Sequence, residues 1–254
     1  VVGMTQVNGR RFRIANVTTN TFELQGVNST NYTAYASGGT AADVFEIASP
    51  YTESQLYEIG FTQSADVMYL VHEDVAPRKL SRTGHTSWTL TEVDFKRGPY
   101  LEQNTTSTTM TPSGTSGSVT ITASSNTFVS TDVGRLIKFS GGHAKITNFS
   151  SATQVTATTT DNFSGTGGTT DWSLGTFTST KGFPRAVSFF EQRLVFAGTT
   201  SFPQTIFASE SGLYEEFDVG SGNAADAFIY TIAANRVNVI RWLAPARDLI
   251  VGTV

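Results

Sequence analysis

Cysteine is absent from the chain, which excludes a disulfide framework and any thiolate chemistry. Long hydrophobic runs are also absent, and no segment approaches the roughly 18 apolar residues that a membrane-spanning helix needs. A basic surplus is missing as well, because 17 Lys and Arg stand against 21 Asp and Glu. A face that grips nucleic acid by its phosphates needs such a surplus. We therefore expect neither a membrane span nor a general nucleic-acid binder.

Thr, Ser, Gly and Asn dominate what is present, and aromatic residues make up 11% of the chain. β-Branched and aromatic residues suit a pleated surface, and the small polar residues suit turns between strands. We therefore expect an all-β fold of many short strands. The sequence starts at Val1 without a Met and stops inside the strand-like run "RDLIVGTV", so we interpret it as a fragment of a longer polypeptide.

Turn chemistry divides the chain into four parts. We predict a small β meander for residues 1–48 and a first sheet for residues 49–100. Residues 101–180 open with the tract "NTTSTTMTPSGTSGS". This tract could be a flexible linker, but the strands after it favour an inserted domain of β-sandwich or barrel-like type. Residues 181–254 return to bulkier strands.

An internal repeat links the second and fourth parts. "MYLVHEDVAPRKL" (Met68–Leu80) aligns with "LVFAGTTSFPQTI" (Leu194–Ile206), and further along Trp88 falls on Tyr214. A weaker match sets "RIANVTTNT" (13–21) over "KITNFSSAT" (145–153). Repeated sheets of about four strands are typical of a β-propeller, so we expect one blade in 49–100, a second blade and the start of a third in 181–254, and an incomplete ring. The alternative is chance similarity between Thr-rich segments.

Two groups of titratable residues are candidates for chemistry. His72, Glu73 and Asp74 could ligate a metal, but no second cluster has ligand spacing, so we interpret them as a strand end entering a turn. Glu215, Glu216 and Asp218 could supply the carboxylate pair of a glycosidase. Neighbouring carboxylates on a strand point to opposite faces, so a solvated edge is the preferred interpretation.

Two further motifs predict turns. "GTGG" (Gly165–Gly168) lacks the strand-to-helix context and the Lys of a phosphate loop. "SRTGHTSW" (Ser81–Trp88) resembles the Asp-box of sialidase blades, but Thr83 replaces the Asp and His85 replaces the Gly. We therefore predict no catalytic, cofactor-binding or metal-binding residue, no cofactor, and no enzyme.

The stretch "FPRAVSFFEQRLVFAG" (Phe183–Gly198) concentrates apolar bulk in the second half of the chain. It predicts the first strands of a blade, with Phe189, Leu194 and Phe196 in the core. Arg193 lies inside this apolar strand and needs a partner, which we expect to be Glu191 or an acidic group across a blade.

The longer stretch "FPRAVSFFEQRLVFAGTTSFPQTIFASESGLYEEFDVG" (183–220) resembles the tail nozzle proteins of short-tailed bacteriophages, the tail tubular protein B family. Tyr51–Arg82 and Ile240–Thr253 resemble the same family. Gly3–Leu24 resembles a small β module of phage proteins that also occurs in ubiquitin-activating enzymes, although no thiol is present for their chemistry. The matching positions are Pro184, Arg185, Phe189, Phe190, Gln192, Arg193, Leu194, Gly198, Pro203, Gln204, Thr205, Ile206, Ser209, Gly212, Tyr214 and Phe217.

The resemblance implies a structural role in the virion tail. The protein would form the distal tail tube, retain DNA until infection and then let it pass without sequence-specific binding. It would assemble in the host cytoplasm as a ring, a hexamer in this family, and contact the tail adaptor and the fibre or spike proteins.

A carbohydrate-binding or adhesion module is the main alternative. Trp88, Trp172 and Trp242 would then serve as exposed stacking platforms, and two of them should share a face. The competing interpretation places these tryptophans in cores. An enzyme is a third possibility, which a cleft with close carboxylates of strongly perturbed pKa would support.

Overall fold

The computed structural model describes residues 1–42, 44–220 and 222–253. Within these residues the regular structure is eighteen β-strands and three short 3₁₀ helices, so the predicted all-β fold is confirmed. The chain divides into two compact units, Val1–Ile47 and Ala48–Val254. The 3₁₀ helices are Thr5–Val7, Glu53–Glu58 and Ser130–Asp132.

The N-terminal unit has little regular structure. Strands β1 (Ile14–Ala15) and β2 (Glu23–Leu24) pair antiparallel over two residues each. The sequence predicted a longer meander, but none of the described residues of this unit is buried, and Ile14 is half exposed. A strand pair without a second layer lacks the apolar packing that extends a ladder.

The first sheet of the larger unit, here called blade 1, is a four-stranded antiparallel meander. A capping box between Thr52 and Gln55 starts the 3₁₀ helix that leads into it. Short turns connect its strands, and Ala65 takes a positive φ of 49° in the first of them. The strands are β3 (Gly60–Ser64), β4 (Val67–His72), β5 (Val75–Gly84) and β6 (Ser87–Glu92).

A six-stranded sheet, here called the insert sheet, follows blade 1 in the chain. Its strands lie in the order β12-β9-β10-β11-β8-β7. Met110 of β7 exchanges two backbone hydrogen bonds with Thr169, three residues before β12, so the two ends of the sheet approach each other. The sheet therefore curls around its own core, which contains Ile121, Ile137 and Phe139. Its strands are β7 (Met110–Pro112), β8 (Ser118–Ala123), β9 (Leu136–Phe139), β10 (Gly142–Ser151), β11 (Gln154–Asp161) and β12 (Trp172–Leu174).

The second blade repeats the order of the first. Blade 2 is a four-stranded antiparallel meander, and a two-stranded sheet, blade 3, follows it. Blade 2 consists of β13 (Ala186–Phe190), β14 (Arg193–Ala197), β15 (Thr205–Ala208) and β16 (Phe228–Thr231). Blade 3 consists of β17 (Ile240–Pro245) and β18 (Leu249–Thr253).

The predicted repeat holds for three strands of the two blades and fails for the fourth. Strands β3, β4 and β5 align with β13, β14 and β15. Residues 213–218, which the alignment places on β6, form turns, and the fourth strand of blade 2 lies later in the chain. The match of Trp88 to Tyr214 was therefore wrong, because a long loop precedes β16.

The first strands of the blades lie side by side, as in a propeller. β13 packs against β3 on one side and β17 on the other. Glycines allow the close approach. A Cβ on Gly60 would lie 2.9 Å from Arg185 O, and one on Gly198, where φ is +70°, would lie 2.5 Å from Ile240 O.

An aromatic core joins blade 1 to blade 2. Phe177 and Phe217 lie outside the named strands, yet both pack against Phe196, with ring centroids 5.9 and 5.5 Å apart. Each fully buried Phe contributes roughly 1.5–3 kcal/mol. A second core, containing Val195, Ile206 and Ile240, joins blade 2 to blade 3. The blades therefore depend on one another for burial.

Candidate functional surfaces

The His72–Glu73–Asp74 segment ends β4 and turns into β5, as the turn interpretation expects. His72 is 2% exposed, and its Nδ1 accepts a hydrogen bond from the Asp74 backbone N–H. Its Nε2 lies 3.4 Å from a carboxylate oxygen of Glu58, but no hydrogen bond to Nε2 forms among the described residues. Glu73 pairs with Arg185 of the segment that enters blade 2. This cluster ties neighbouring blades together.

Glu215, Glu216 and Asp218 do not lie on a solvated strand edge, so that interpretation was wrong. They lie in the loop before β16, and all three are partly buried. Glu215 pairs with Lys79 of blade 1. Each of the other two carboxylates also contacts a cation from a different segment, because the loop crosses a junction between sheets.

Arg97 contacts both the insert sheet and the loop before β16, at the junction between the insert sheet and the blades. It donates two hydrogen bonds, of 2.8 and 2.9 Å, to the carboxylate of Asp161 on the insert sheet. Glu216 lies 3.9 Å from the same guanidinium. The hydrogen bonds from Arg97 lower the pKa of the Asp161 carboxyl, whereas burial raises the pKa of Glu216.

Asp218 occupies the centre of a second junction contact. Lys138 of β9 contacts both of its carboxylate oxygens, at 2.7 and 2.8 Å. His143 Nε2 lies 3.6 Å from it, and His143 Nδ1 lies 2.6 Å from the Tyr100 hydroxyl. Burial lowers the pKa of His143, against the opposing effect of Asp218, and burial raises the pKa of Tyr100. These contacts fasten the insert sheet to the blades.

Arg193 finds a different partner from the acidic one expected. It is 6% exposed and donates to the backbone carbonyls of Ser209, Ala224 and Asp226 at 2.5, 2.5 and 2.7 Å. Glu191 lies in the β13–β14 turn with a positive φ of 46°. Backbone carbonyls therefore satisfy the guanidinium, and the long loop before β16 is held by it.

The three tryptophans lie on three different sheets. Trp88 is half-buried on β6 and donates to His85 O at 3.1 Å, within the turn that resembles an Asp-box. Trp172 is half-buried against the insert core and donates to Thr108 O. Trp242, on β17, is 53% exposed. Among the described residues, the tryptophans therefore form no shared exposed face.

A groove of about 430 Å³ opens between blade 2 and the insert sheet. Its floor is the face of β15 and β16 that carries Thr205, Phe207, Ile229 and Thr231. Its walls come from the 100–103 segment, from Ser173 and from the Lys138–Asp218 pair. No local sequence pattern indicates this groove, because its residues come from several separate segments between Tyr100 and Thr231.

Apolar side chains are exposed at both ends of the blade series. On blade 1, Phe61 pairs with Leu70 on the face away from blade 2, and Phe61 is 64% exposed. On blade 3, Trp242 and Ile250 lie on the face away from blade 2 and are 53% and 50% exposed. Exposed apolar sheet faces are typical of interaction surfaces.

Neither a metal centre nor a membrane-spanning helix is found in the part of the chain that the structure describes. Its His, Asp and Glu residues form no group of three able to hold a metal ion. No described helix has the length and apolar character to cross a membrane. Comparison of the sequence with protein-family models and with curated proteins finds no match.

Proposed function

We propose that the chain is a structural component of the tail tube, or nozzle, of a short-tailed bacteriophage. The observation that carries the proposal is the series of packed blades, together with the family resemblance of Tyr51–Arg82, Phe183–Phe217 and Ile240–Thr253. Interdigitated sheet faces pack as densely as organic crystals and resist deformation. A rigid wall with a large surface suits a tube subunit.

The working form in this proposal is a ring of identical subunits, a hexamer by family resemblance. The exposed apolar faces with Phe61 and with Trp242 lie at opposite ends of the blade series and support subunit contacts. A ring uses one heterologous interface repeatedly, with different patches on its two sides. The tail adaptor and the fibre or spike proteins are the other proposed partners.

The charge balance supports a conduit for DNA. A lumen rich in Lys and Arg would hold phosphates along its length through a strong attraction that is independent of sequence. This chain carries a formal charge of −4, and many of its cations are already paired with carboxylates. The nozzle would retain DNA in the virion as a closed tube and would release it without sequence-specific contacts.

The same proposal assigns the protein to the virion tail after assembly in the host cytoplasm, and it assigns no catalytic step. The junction carboxylates Asp161, Glu216 and Asp218 each face a cation, which favours a fastening role over catalysis. A carbohydrate-binding main function receives no support from the tryptophans, since they lie on separate sheets.

Electron cryomicroscopy of tails from the phage that encodes this sequence tests the proposal. We expect rotationally symmetric density for the blade series in the wall of the distal tube. A tail map whose tube wall contains no copy of this arrangement would overturn the assignment.

A further inference from the structure

We propose that the groove between blade 2 and the insert sheet binds a neutral sugar. The inference does not depend on the tail assignment, because the groove is built within a single chain. Its volume of about 430 Å³ lies in the range of small-molecule sites. The chemistry of its lining restricts the class of ligand.

The floor of the groove presents apolar surface beside hydroxyl groups. Phe202 and Ile229 supply the accessible apolar part, and Phe207 beside them is buried in the core between the blades. Thr205 and Thr231 face each other across β15 and β16, with their Oγ1 atoms 2.8 Å apart. A sugar ring has apolar C–H faces and a hydroxyl periphery, so a floor of this mixed kind matches it.

The wall supplies a donor and an acceptor that are fixed side by side. Lys138 binds both oxygens of Asp218, yet an ammonium has three donors and a carboxylate has about four acceptor sites. Lys138 therefore keeps a hydrogen-bond donor, and Asp218 keeps acceptor sites, for a ligand. Neighbouring sugar hydroxyls, each able to donate and accept, fit such a pair.

A buried hydroxyl in the lining provides an independent indication. Thr176 is 2% exposed, and its Oγ1 has no hydrogen-bond partner among the described residues. Thr176 lines the groove together with Ser173. A buried polar atom without a partner is costly, and a ligand hydroxyl that reaches Thr176 from the groove would satisfy it.

The charge of the lining argues against other ligand classes. Two carboxylates, Glu102 and Asp218, line the groove with one cation, Lys138, which is already neutralised. A phosphate or nucleotide would meet net repulsion. A purely apolar ligand would leave the Lys138–Asp218 pair and Thr176 without hydrogen bonds. A neutral polyhydroxylated ring satisfies both constraints.

Two substitutions and two matched controls test the site. Lys138→Met removes the wall donor, and its control is Lys145→Met, which removes another junction lysine that pairs with Asp94 outside the groove. Thr231→Val removes a floor hydroxyl without touching the junction. Its control is Thr89→Val on β6, the outer strand of blade 1.

The probe is a printed array of bacterial oligosaccharides and polysaccharides, followed by calorimetric titration with the free neutral glycan that gives the strongest signal. We expect binding by the unmodified chain, a loss of about tenfold with Lys138→Met and a smaller loss with Thr231→Val, and unchanged binding by both controls. Absence of any neutral glycan above background would overturn the proposal. Equal binding by Lys138→Met, Thr231→Val and the unmodified chain would overturn it as well, because the glycan would then occupy another surface.

Discussion

Arg193 holds the loop ahead of β16 in place through three backbone carbonyls. These carbonyls belong to Ser209, Ala224 and Asp226, and Arg193 also lies 5.6 Å from the centre of the Phe228 ring. One side chain therefore fixes both ends of the segment that brings Asp218 to the junction. Its role in these contacts is structural.

Replacing Arg193 with Met should destabilise the protein by about 3 kcal/mol. The variant leaves the buried carbonyl of Ser209 and the partly buried carbonyls of Ala224 and Asp226 without these donors, and each unsatisfied buried group costs about 1–3 kcal/mol, partly offset by relaxation of the loop. Denaturant unfolding followed by circular dichroism measures the change. The exposed Arg247→Met is the control and should lie within about 0.5 kcal/mol of the unmodified chain. Equal stability of the two variants would contradict the structural role.

His143 should make stability fall as the pH drops below its ordinary pKa of 6.5. Burial lowers its folded-state pKa, and the charges around it act in both directions, because Asp218 and Asp161 raise the pKa whereas Lys138 and Arg97 lower it. As the pH falls, the unfolded chain therefore binds the proton before the folded chain does. The free energy of unfolding decreases between pH 6.5 and the lowered folded-state pKa, and His143 does not affect it above pH 6.5.

His143→Gln should remove that part of the pH dependence. Unfolding curves between pH 7.5 and 5 would show a flatter slope in the variant, and the exposed His85→Gln should keep the slope of the unmodified chain. A parallel pH dependence of all three proteins would show that His143 does not titrate differently on folding.

At the scale of elements, blade packing depends on where strands can approach. Gly198 directly follows β14 at the contact with blade 3, and its positive φ combines with a close neighbour, Ile240 O. Gly212 has a similar φ of +78° but nothing within 4 Å of its would-be Cβ. A substitution at Gly212 therefore tests backbone strain alone, whereas one at Gly198 tests backbone strain together with steric crowding.

Gly212→Ala should cost about 1 kcal/mol, from the left-handed backbone alone. Gly198→Ala should cost about 3 kcal/mol, because the added methyl also pushes β14 away from β17. Equilibrium unfolding of both variants gives the comparison. Similar losses at the two positions would mean that the blades move apart without cost.

The insert sheet has its own core, and its independence stays a prediction that a deletion can test. Tyr100 pairs with Gly175, and Leu101 N–H donates to Leu174 O, so the entering and leaving chains already form a ladder. Phe177 belongs to the core between the blades, so the deletion must end before it. Replacing residues 103–172 with Asn-Gly would close the ladder by a tight turn.

We expect the deleted chain to keep a cooperative unfolding transition at a lower midpoint. The midpoint falls because Asp218 loses Lys138, and Arg97 loses Asp161, on removal of the insert sheet, and adding Asp218→Asn should recover part of the loss. Loss of cooperative unfolding in both versions would show that the blades need the insert sheet to fold.

At the scale of the whole molecule, the proposed conduit predicts weak interaction with DNA. The purified chain should show negligible binding to duplex DNA at about 0.15 M salt, because it has no net positive charge to release counterions. Fluorescence anisotropy with a labelled duplex, repeated at low salt, measures this. Tight binding that weakens steeply with salt would contradict the conduit.

The sequence by itself determined the fold class and several strands of blades 1 and 2. Alternating apolar residues in stretches such as "MYLVHED" and "SFFEQRLVF" fix strands because the period of side chains in a sheet is two. The same local patterns placed Leu194 and Phe196 in the core. The segment before β16 was predicted wrongly from the sequence. Its aromatic and acidic residues at 214–218 resemble a strand, but contacts with distant segments hold them in a loop.

Only the tertiary structure decided which polar groups meet. Lys138 and Asp218 are eighty residues apart in sequence, and Arg97 and Asp161 are sixty-four apart. No local period connects such pairs, because their approach depends on how the insert sheet curls and where it rests on blade 2. The groove and its polar wall follow from that placement, whereas the strands around it follow from the sequence.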